Sequence, residues 1–448
     1  MNKLGRYFYS FCILLICAGF CIKILLPSLA ATKASKPVFK ITSNYIGTAQ
    51  HVAFTPDGKQ FLYTEGSDGA APQIRRWNTE SYQELASIKT TQPVLLLSQN
   101  GLFYVTSTYI PKENKHTDVR VFRLSDQKQM GNFPNGTPHG KPVQILGDKP
   151  LLVIFHQAAI EKNYGSPSKR SFYFWDAQTN KLLNENPRKT MLYGFGASVF
   201  PRNAAYSADA TKVLSLWPVY SRTRNGAVKQ TVENLEPWSK GDEQNPKEAW
   251  LLNEVNGKII KLPFPKKLSG TEFLWEDPAL SNDATLYAAT STNNFGGWSN
   301  NGEDGTIWCY DLPHQKLLWK HFQINHFPSE LLFSPDGTML AAGGYDNEYR
   351  NNGGFLNVID TKSGKVIHDF TEQTLWGQIS DRTKKFAAGI LYDNALFQKK
   401  FNMSLDEYYR KPPPGNSGLP TSLAWSPDSK TVAASYSDGS VKLWRVKE

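Results

Sequence analysis

The chain is poor in cysteine, in histidine and in charge of one sign. Of four cysteines among 448 residues, Cys12, Cys17 and Cys21 sit in an apolar start, which leaves Cys309 alone. One thiol makes no internal disulfide, so the body must hold its shape by packing. Cys309 lies in the alternating run Thr306-Ile307-Trp308-Cys309-Tyr310-Asp311. There it reads as a small buried hydrophobe, not as a nucleophile. The eight histidines are scattered without a metal spacing such as His-x-x-x-His, so the sequence implies no metal and no cofactor. Basic residues number 50 against 40 acidic ones and form no stripe, which argues against a nucleic-acid partner.

Long apolar runs are confined to the N-terminus. Lys3 and Arg6 precede an apolar stretch over residues 7–22, Lys23 interrupts it, and Ile24-Leu25-Leu26-Pro27-Ser28-Leu29-Ala30-Ala31 follows. A basic start, an apolar middle and small residues in Ser28-x-Ala30 predict a secretory signal over residues 1–30, cut after Ala30. The alternative is an uncleaved membrane anchor formed by residues 7–29, against which the run before Lys23 is short for a span of about 20 residues. The expected destination is therefore periplasmic or secreted, or a membrane surface. The leader takes three of the basic residues, leaving 47 against 40 acidic in the body. Such mild basicity suits an anionic glycan or an acidic partner.

What the chain does have is a repeated hairpin. Clear copies are Ala53-Phe54-Thr55-Pro56-Asp57-Gly58-Lys59-Gln60-Phe61-Leu62, Leu332-Phe333-Ser334-Pro335-Asp336-Gly337-Thr338-Met339-Leu340 and Ala424-Trp425-Ser426-Pro427-Asp428-Ser429-Lys430-Thr431-Val432. Asp-Gly between apolar runs is a strong hairpin signal, because such turns need a positive φ. Eight turns of this kind follow one another, at 55–58, 98–101, 147–150, 207–210, 281–284, 334–337, 380–383 and 426–429. A hairpin recurring at a spacing of roughly 45 residues marks a radial β architecture, whose units bury their apolar faces only against neighbours. Each unit is expected to have four strands, A to D, with the C strand often ending in an aromatic or apolar residue and Asp.

These residues resemble a known family. Ser-Pro-Asp-Gly at the A–B turn, a B strand of small residues, Trp175-Asp176 and Ser437-Asp438-Gly439-Ser440-Val441-Lys442-Leu443-Trp444 are similar to WD40 repeats, over about residues 49–448. Most units lack the Gly-His dipeptide and a Trp-Asp pair. The resemblance implies a buried His–Asp–Ser–Trp network in units that keep the full pattern, with His326 near the Gly-His position of its unit. The fold expected is all-β, a β-propeller of four-stranded antiparallel blades forming one domain over residues 37–448. Eight turns predict eight blades, and seven is the alternative if residues 376–415 are an insertion. The last unit lacks a D strand, and an open edge invites aggregation. The alternating Val38-Phe39-Lys40-Ile41-Thr42-Ser43-Asn44-Tyr45-Ile46 is predicted to complete it.

Connection lengths point to a binding face. The A–B turns are tight, whereas B–C connections are long, at 106–117, 156–170, 217–248, 291–305 and 344–354. In an antiparallel blade the B–C and D–A connections leave on one side, so the long ones should crowd one rim. Functional residues concentrate on loops held by a rigid scaffold, and exposed aromatics with arginine are the composition of interaction hot spots. The candidate binding residues are Tyr109, Tyr164 and Arg170, then Tyr220, Arg222, Arg224 and Trp238, then Phe295, Trp298, Tyr345 and Tyr349. For each, the competing role is packing inside its own loop.

These features imply a non-catalytic binding scaffold for another protein or a peptide, with an anionic glycan as the alternative. A membrane enters only through an uncleaved leader. The rival class is a propeller enzyme. A prolyl-oligopeptidase-like peptidase would need Gly-x-Ser-x-Gly, which does not occur. A quinone-dependent dehydrogenase would need a sustained tryptophan-docking repeat, which the Gly-Lys turns at Gly257-Lys258 and Gly364-Lys365 do not supply. A lactonase-like propeller would need His or acidic ligands converging on the channel. Asn300-Asn301-Gly302-Glu303-Asp304-Gly305 lacks the alternating oxygen ligands of a calcium loop and reads as a turn. Asn135-Gly136-Thr137 and Asn402-Met403-Ser404 match glycosylation acceptors, relevant only in a eukaryotic secretory route.

Overall fold

The computed structural model describes residues 37–42, 51–65, 72–110, 115–133, 141–146, 150–159, 168–183, 190–192, 204–207, 212–220, 246–253, 258–263, 273–274, 278–292, 305–323, 326–346, 354–370 and 418–447. Every regular element among them is a β-strand. Strand β1 (Phe39–Thr42) comes first. The first sheet is β2 (Val52–Phe54), β3 (Gln60–Glu65), β4 (Gln73–Asn78) and β5 (Glu84–Lys89). The second is β6 (Val94–Leu97), β7 (Phe103–Ile110), β8 (Lys115–Arg123) and β9 (Gln129–Asn132). The third is β10 (Lys141–Leu146), β11 (Leu151–Ala159) and β12 (Ser168–Asp176), whose outer edge is shared by β13 (Lys181–Leu182) and β14 (Thr190–Leu192).

The fourth sheet is β15 (Ala204–Tyr206), β16 (Val213–Tyr220), β17 (Pro246–Asn253) and β18 (Ile259–Pro263). In the fifth, the inner strand is split into β19 (Phe273–Leu274) and β20 (Ala279–Leu280), followed by β21 (Leu286–Thr292), β22 (Gly305–Asp311) and β23 (Lys316–Gln323). The sixth is β24 (His326–Phe333), β25 (Met339–Asp346), β26 (Gly354–Asp360) and β27 (Val366–Asp369). The last is β28 (Pro420–Trp425), β29 (Thr431–Tyr436) and β30 (Ser440–Arg445), with β1 as its fourth strand. Phe39 lies opposite Leu443 and Thr42 opposite Ser440, and the Val38 N–H donates to the Leu443 carbonyl at 2.8 Å. The N-terminal strand thus occupies the D position of the last sheet, where the alternation at residues 38–46 places it.

Four-stranded antiparallel sheets in series are a β-propeller, and the strand sequences show why they pack this way. Consecutive residues of one strand face different neighbours, so both faces of each sheet are covered. In β29, Val432 and Ala434 join the core shared with Leu356 and Val358 of the sixth sheet. Ala433 joins the core shared with Phe54, Phe61 and Tyr63 of the first. Small residues in the B strands, such as Ala288, Ala289, Ala341, Ala342, Ala433 and Ala434, are buried and let the sheets approach closely.

Inner strands touch in succession: β2 with β28, β28 with β24, β24 with β20, and β20 with β15. Shared cores join the third sheet to the fourth through Leu146, Phe174, Ala204 and Val213, and the first to the second through Leu62, Val94 and Tyr104. The described residues therefore form seven sheets. The sixth sheet packs on the last: Met339, Leu356 and Phe370 share one core with Trp425 and Trp444. The turn expected at 380–383 lies outside the described residues.

Candidate functional site

Two rims flank the sheets. On one, the A–B turns repeat a single device. The hydroxyl of Thr55, Ser281, Ser334 or Ser426 donates at 2.6 Å to the carboxylate two residues on, Asp57, Asp283, Asp336 or Asp428. Each carboxylate accepts a backbone N–H two residues further on, from Lys59, Thr285, Thr338 or Lys430. The same hydroxyl oxygen accepts the N–H five residues on, from Gln60, Leu286, Met339 or Thr431. These bonds hold the carboxylates below their usual range: the Thr55 hydroxyl leads at Asp57. At Asp283 and Asp428 burial works the other way and is outweighed. The carboxylates are spent on their own turns.

The turns also touch one another. Lys212 Nζ donates to the Ala284 carbonyl at 3.1 Å, Asn282 Nδ2 to the Pro335 carbonyl at 3.3 Å, and the Asp336 N–H to Ser429 Oγ at 3.1 Å. They enclose a cavity of about 1000 Å³, floored by strand ends such as Phe54, Leu280 and Trp425 and rimmed by Asn100, Asn282 and Pro427. Sequence reasoning placed no binding residue here, because polar residues in tight turns read as turn formers. The one signal available was the recurrence of amides and prolines at equivalent turn positions.

On the opposite rim the B–C hairpins reach further. The β7–β8 pairing continues to Ile110 and Lys115, β11–β12 to Ala159 and Ser168, and β16–β17 to Tyr220 and Pro246. The β21–β22 pairing continues to Thr292 and Gly305, and β25–β26 to Tyr345 and Gly354. The ends of the segments expected as loops are extended hairpin, in which ladder bonds satisfy the backbone groups. The first and last units keep short hairpins, with Glu65 opposite Gln73 and Ser435 opposite Val441 as their last pairs. Five consecutive units therefore project, and the two that meet at β1 do not.

Four candidate residues share this rim: Tyr109 opposite His116, Arg170 opposite Gln157, Tyr220 opposite Pro246, and Tyr345 opposite Gly354. Tyr164, Arg222, Arg224, Trp238, Phe295, Trp298 and Tyr349 lie outside the described residues. Beside Tyr109 is a polar cluster that sequence reasoning missed. A register shift between Thr106 and Thr108 accompanies a left-handed backbone at Asp118, φ 51°, and such bulges re-aim side chains. Asp118 accepts from Arg120 Nε at 2.8 Å and from Gln92 Nε2 at 2.5 Å. Arg120 first, then Gln92, holds its carboxylate low. Gln92 also bonds Thr106 and Thr108, and Ser107 Oγ lies 2.9 Å from His116 Nδ1.

Cys309 is fully buried, and burial, helped by Asp311, pushes its thiol up to about 12; a thiol so protonated is inert. Trp175 Nε1 and Trp444 Nε1 are buried with no hydrogen-bond partner, so neither tryptophan donates into the network that the WD40 resemblance implies. Among the described residues, no group of three or more His, Cys, Asp or Glu is placed to hold a metal.

Comparison with known proteins agrees with this geometry. Residues 412–445, which include β28 to β30, match the family model described as WD domain, G-beta repeat. The small ribosomal subunit protein RACK1 of Drosophila melanogaster is 23% identical over 151 residues, covering 32% of this chain and 45% of that protein. The small ribosomal subunit protein RACK1y of Oryza sativa subsp. japonica is 24% identical over 180 residues, covering 40% of this chain and 37% of that protein. The chain thus spans less than half the length of these relatives.

Proposed function

Since this chain belongs to the WD40-repeat superfamily, we propose that it is a non-catalytic scaffold, exported from the cytoplasm, that holds another protein or a peptide against the rim of its long B–C hairpins. Propellers of this kind generally bind other proteins. The observation that carries the reading is the asymmetry of the rims. Five consecutive hairpins project on one side, while the described A–B turns on the other bond their polar groups inward. Export rests on the basic, apolar, small-residue leader, which a place in the ribosome, as the relatives' names state for them, does not require.

The test uses the chain from Ala31 onward as bait against envelope or medium extract. Trp238→Ala and Trp298→Ala are each expected to weaken partner retention about 30-fold, the size of a hot-spot loss of ~2 kcal/mol, with the melting temperature unchanged. Unfolding of these variants would make the aromatics core residues and remove the reading. A metal or chromophore in the purified protein would favour the enzyme class.

A further inference from the structure

One hairpin breaks the pattern of the turn rim. The residue five positions past the start of the A–B turn donates its N–H to the turn hydroxyl, and it is Gln60, Phe103, Leu286, Met339 or Thr431 in five units. In the fourth unit it is Lys212, whose N–H donates to Ser207 Oγ at 2.9 Å. That bond fixes the backbone, and the half-buried side chain crosses to the next unit, where Nζ donates to the Ala284 carbonyl at 3.1 Å. An ammonium has three donors. Lys212 spends one of them on an uncharged acceptor and, among the described residues, forms no ion pair.

Lys212 lines the cavity of about 1000 Å³ between the A–B turns, a volume at the upper end for small-molecule sites. Ile145, Leu146, Leu151 and Leu280 share that lining and make much of its wall apolar. Leu183 also lines it and is 59% exposed, the most exposed large apolar side chain among the described residues. Covering such surface is favourable. The other charged groups in the lining are Asp176 and Asp283. Asp176 accepts the N–H groups of Gln178 and Thr179. Asp283 accepts the Ser281 hydroxyl and both the N–H and the hydroxyl of Thr285. Both carboxylates are therefore held by donors of their own turns, and neither takes Lys212.

We propose that the cavity binds a small amphipathic monoanion, a carboxylate on an apolar chain, with the head group on Lys212 Nζ and the chain covering the apolar wall. A cation would face the ammonium, and a small polar molecule would leave the wall uncovered. A second negative charge would meet Asp176 or Asp283, which limits the head to one. This site lies on the rim opposite the long hairpins and does not depend on what those hairpins hold.

The test measures decanoate and uncharged decanol binding to the full chain by equilibrium dialysis. Decanoate is expected to bind about tenfold more tightly, the scale of one charge-assisted hydrogen bond. Lys212→Gln should remove that advantage and Lys212→Arg should keep it, with decanol binding the same in both. Leu183→Asn, at an exposed position that tolerates a polar side chain, should weaken both molecules roughly threefold by removing apolar surface. Equal binding of decanoate and decanol overturns the proposal. So does a decanoate advantage that survives Lys212→Gln, or binding that Leu183→Asn leaves untouched, since either places the molecule elsewhere on the chain.

Discussion

Positive φ recurs in this chain by position, not by residue type. In the A–B turns it falls on the fourth residue, Gly58, Gly101 and Gly337, but also Ala284 and Ser429. In the C–D turns it falls four residues past Asn78, Asp176, Asp311 or Asp360, at Tyr82, Asn180, Gln315 and Gly364. Those strand-ending side chains accept the turn N–H groups, as Asp176 does from Gln178 and Asp360 from Ser363. This is why an acidic or amide residue closes so many C strands. Two glycines separate the backbone requirement from packing. A Cβ on Gly337 would meet nothing within 4 Å, whereas one on Gly364 would meet the Trp319 ring at 2.7 Å. Gly337→Ala should cost only the left-handed penalty, about 1–2 kcal/mol in urea unfolding. Gly364→Ala should cost about 3 kcal/mol or more, because overpacking adds to it. Equal losses would show that Trp319 moves aside freely.

At the level of the hairpin, the sixth A–B turn is tied most closely to its neighbour. Burial opposes ionisation of Asp336, but bonds from Lys447, Ser334 and Thr338 outweigh it and leave the carboxyl well below its ordinary value. A carboxyl lowered by folding stabilises the native state above its unfolded pKa of about 3.9, and that stability is lost as pH falls through the folded value. Asp336→Asn should therefore lower the melting temperature at pH 7 and bring mutant and wild type together toward pH 2. A constant gap across that range would mean that the carboxylate charge is not what matters. These turns were legible in the sequence because Ser-Pro-Asp-Gly names each hydrogen bond it makes. The hairpin extensions past Thr106 and Ala158 were not, since polar residues beyond the core show no alternation to mark them as strand. The Gln92–Asp118 cluster was equally hidden, because it depends on a bulge.

Across the whole molecule, the order of the described sheets was readable from the repeat. Ser380-Asp381-Arg382-Thr383 has the chemistry of an A–B turn, yet the sixth sheet packs straight onto the last, a long-range fact that no local pattern carries. β1 was readable, because alternation next to a missing D strand leaves it one place to go. Ile41 packs with Phe54 and Phe61 of the first sheet, and Phe39 stacks on Tyr82 at 4.9 Å, so the first strand of the chain links the last sheet to the first. Scaffold and rims both depend on that link. Amide hydrogen exchange at Phe39–Thr42 measures it most directly. If β1 seals the ring, those of these amides that point at β30 exchange as slowly as those of β29 and β30, through global opening. If they exchange at the rate of an unstructured peptide while β29 and β30 stay protected, the ring is not closed by its own N-terminal strand, and the account fails.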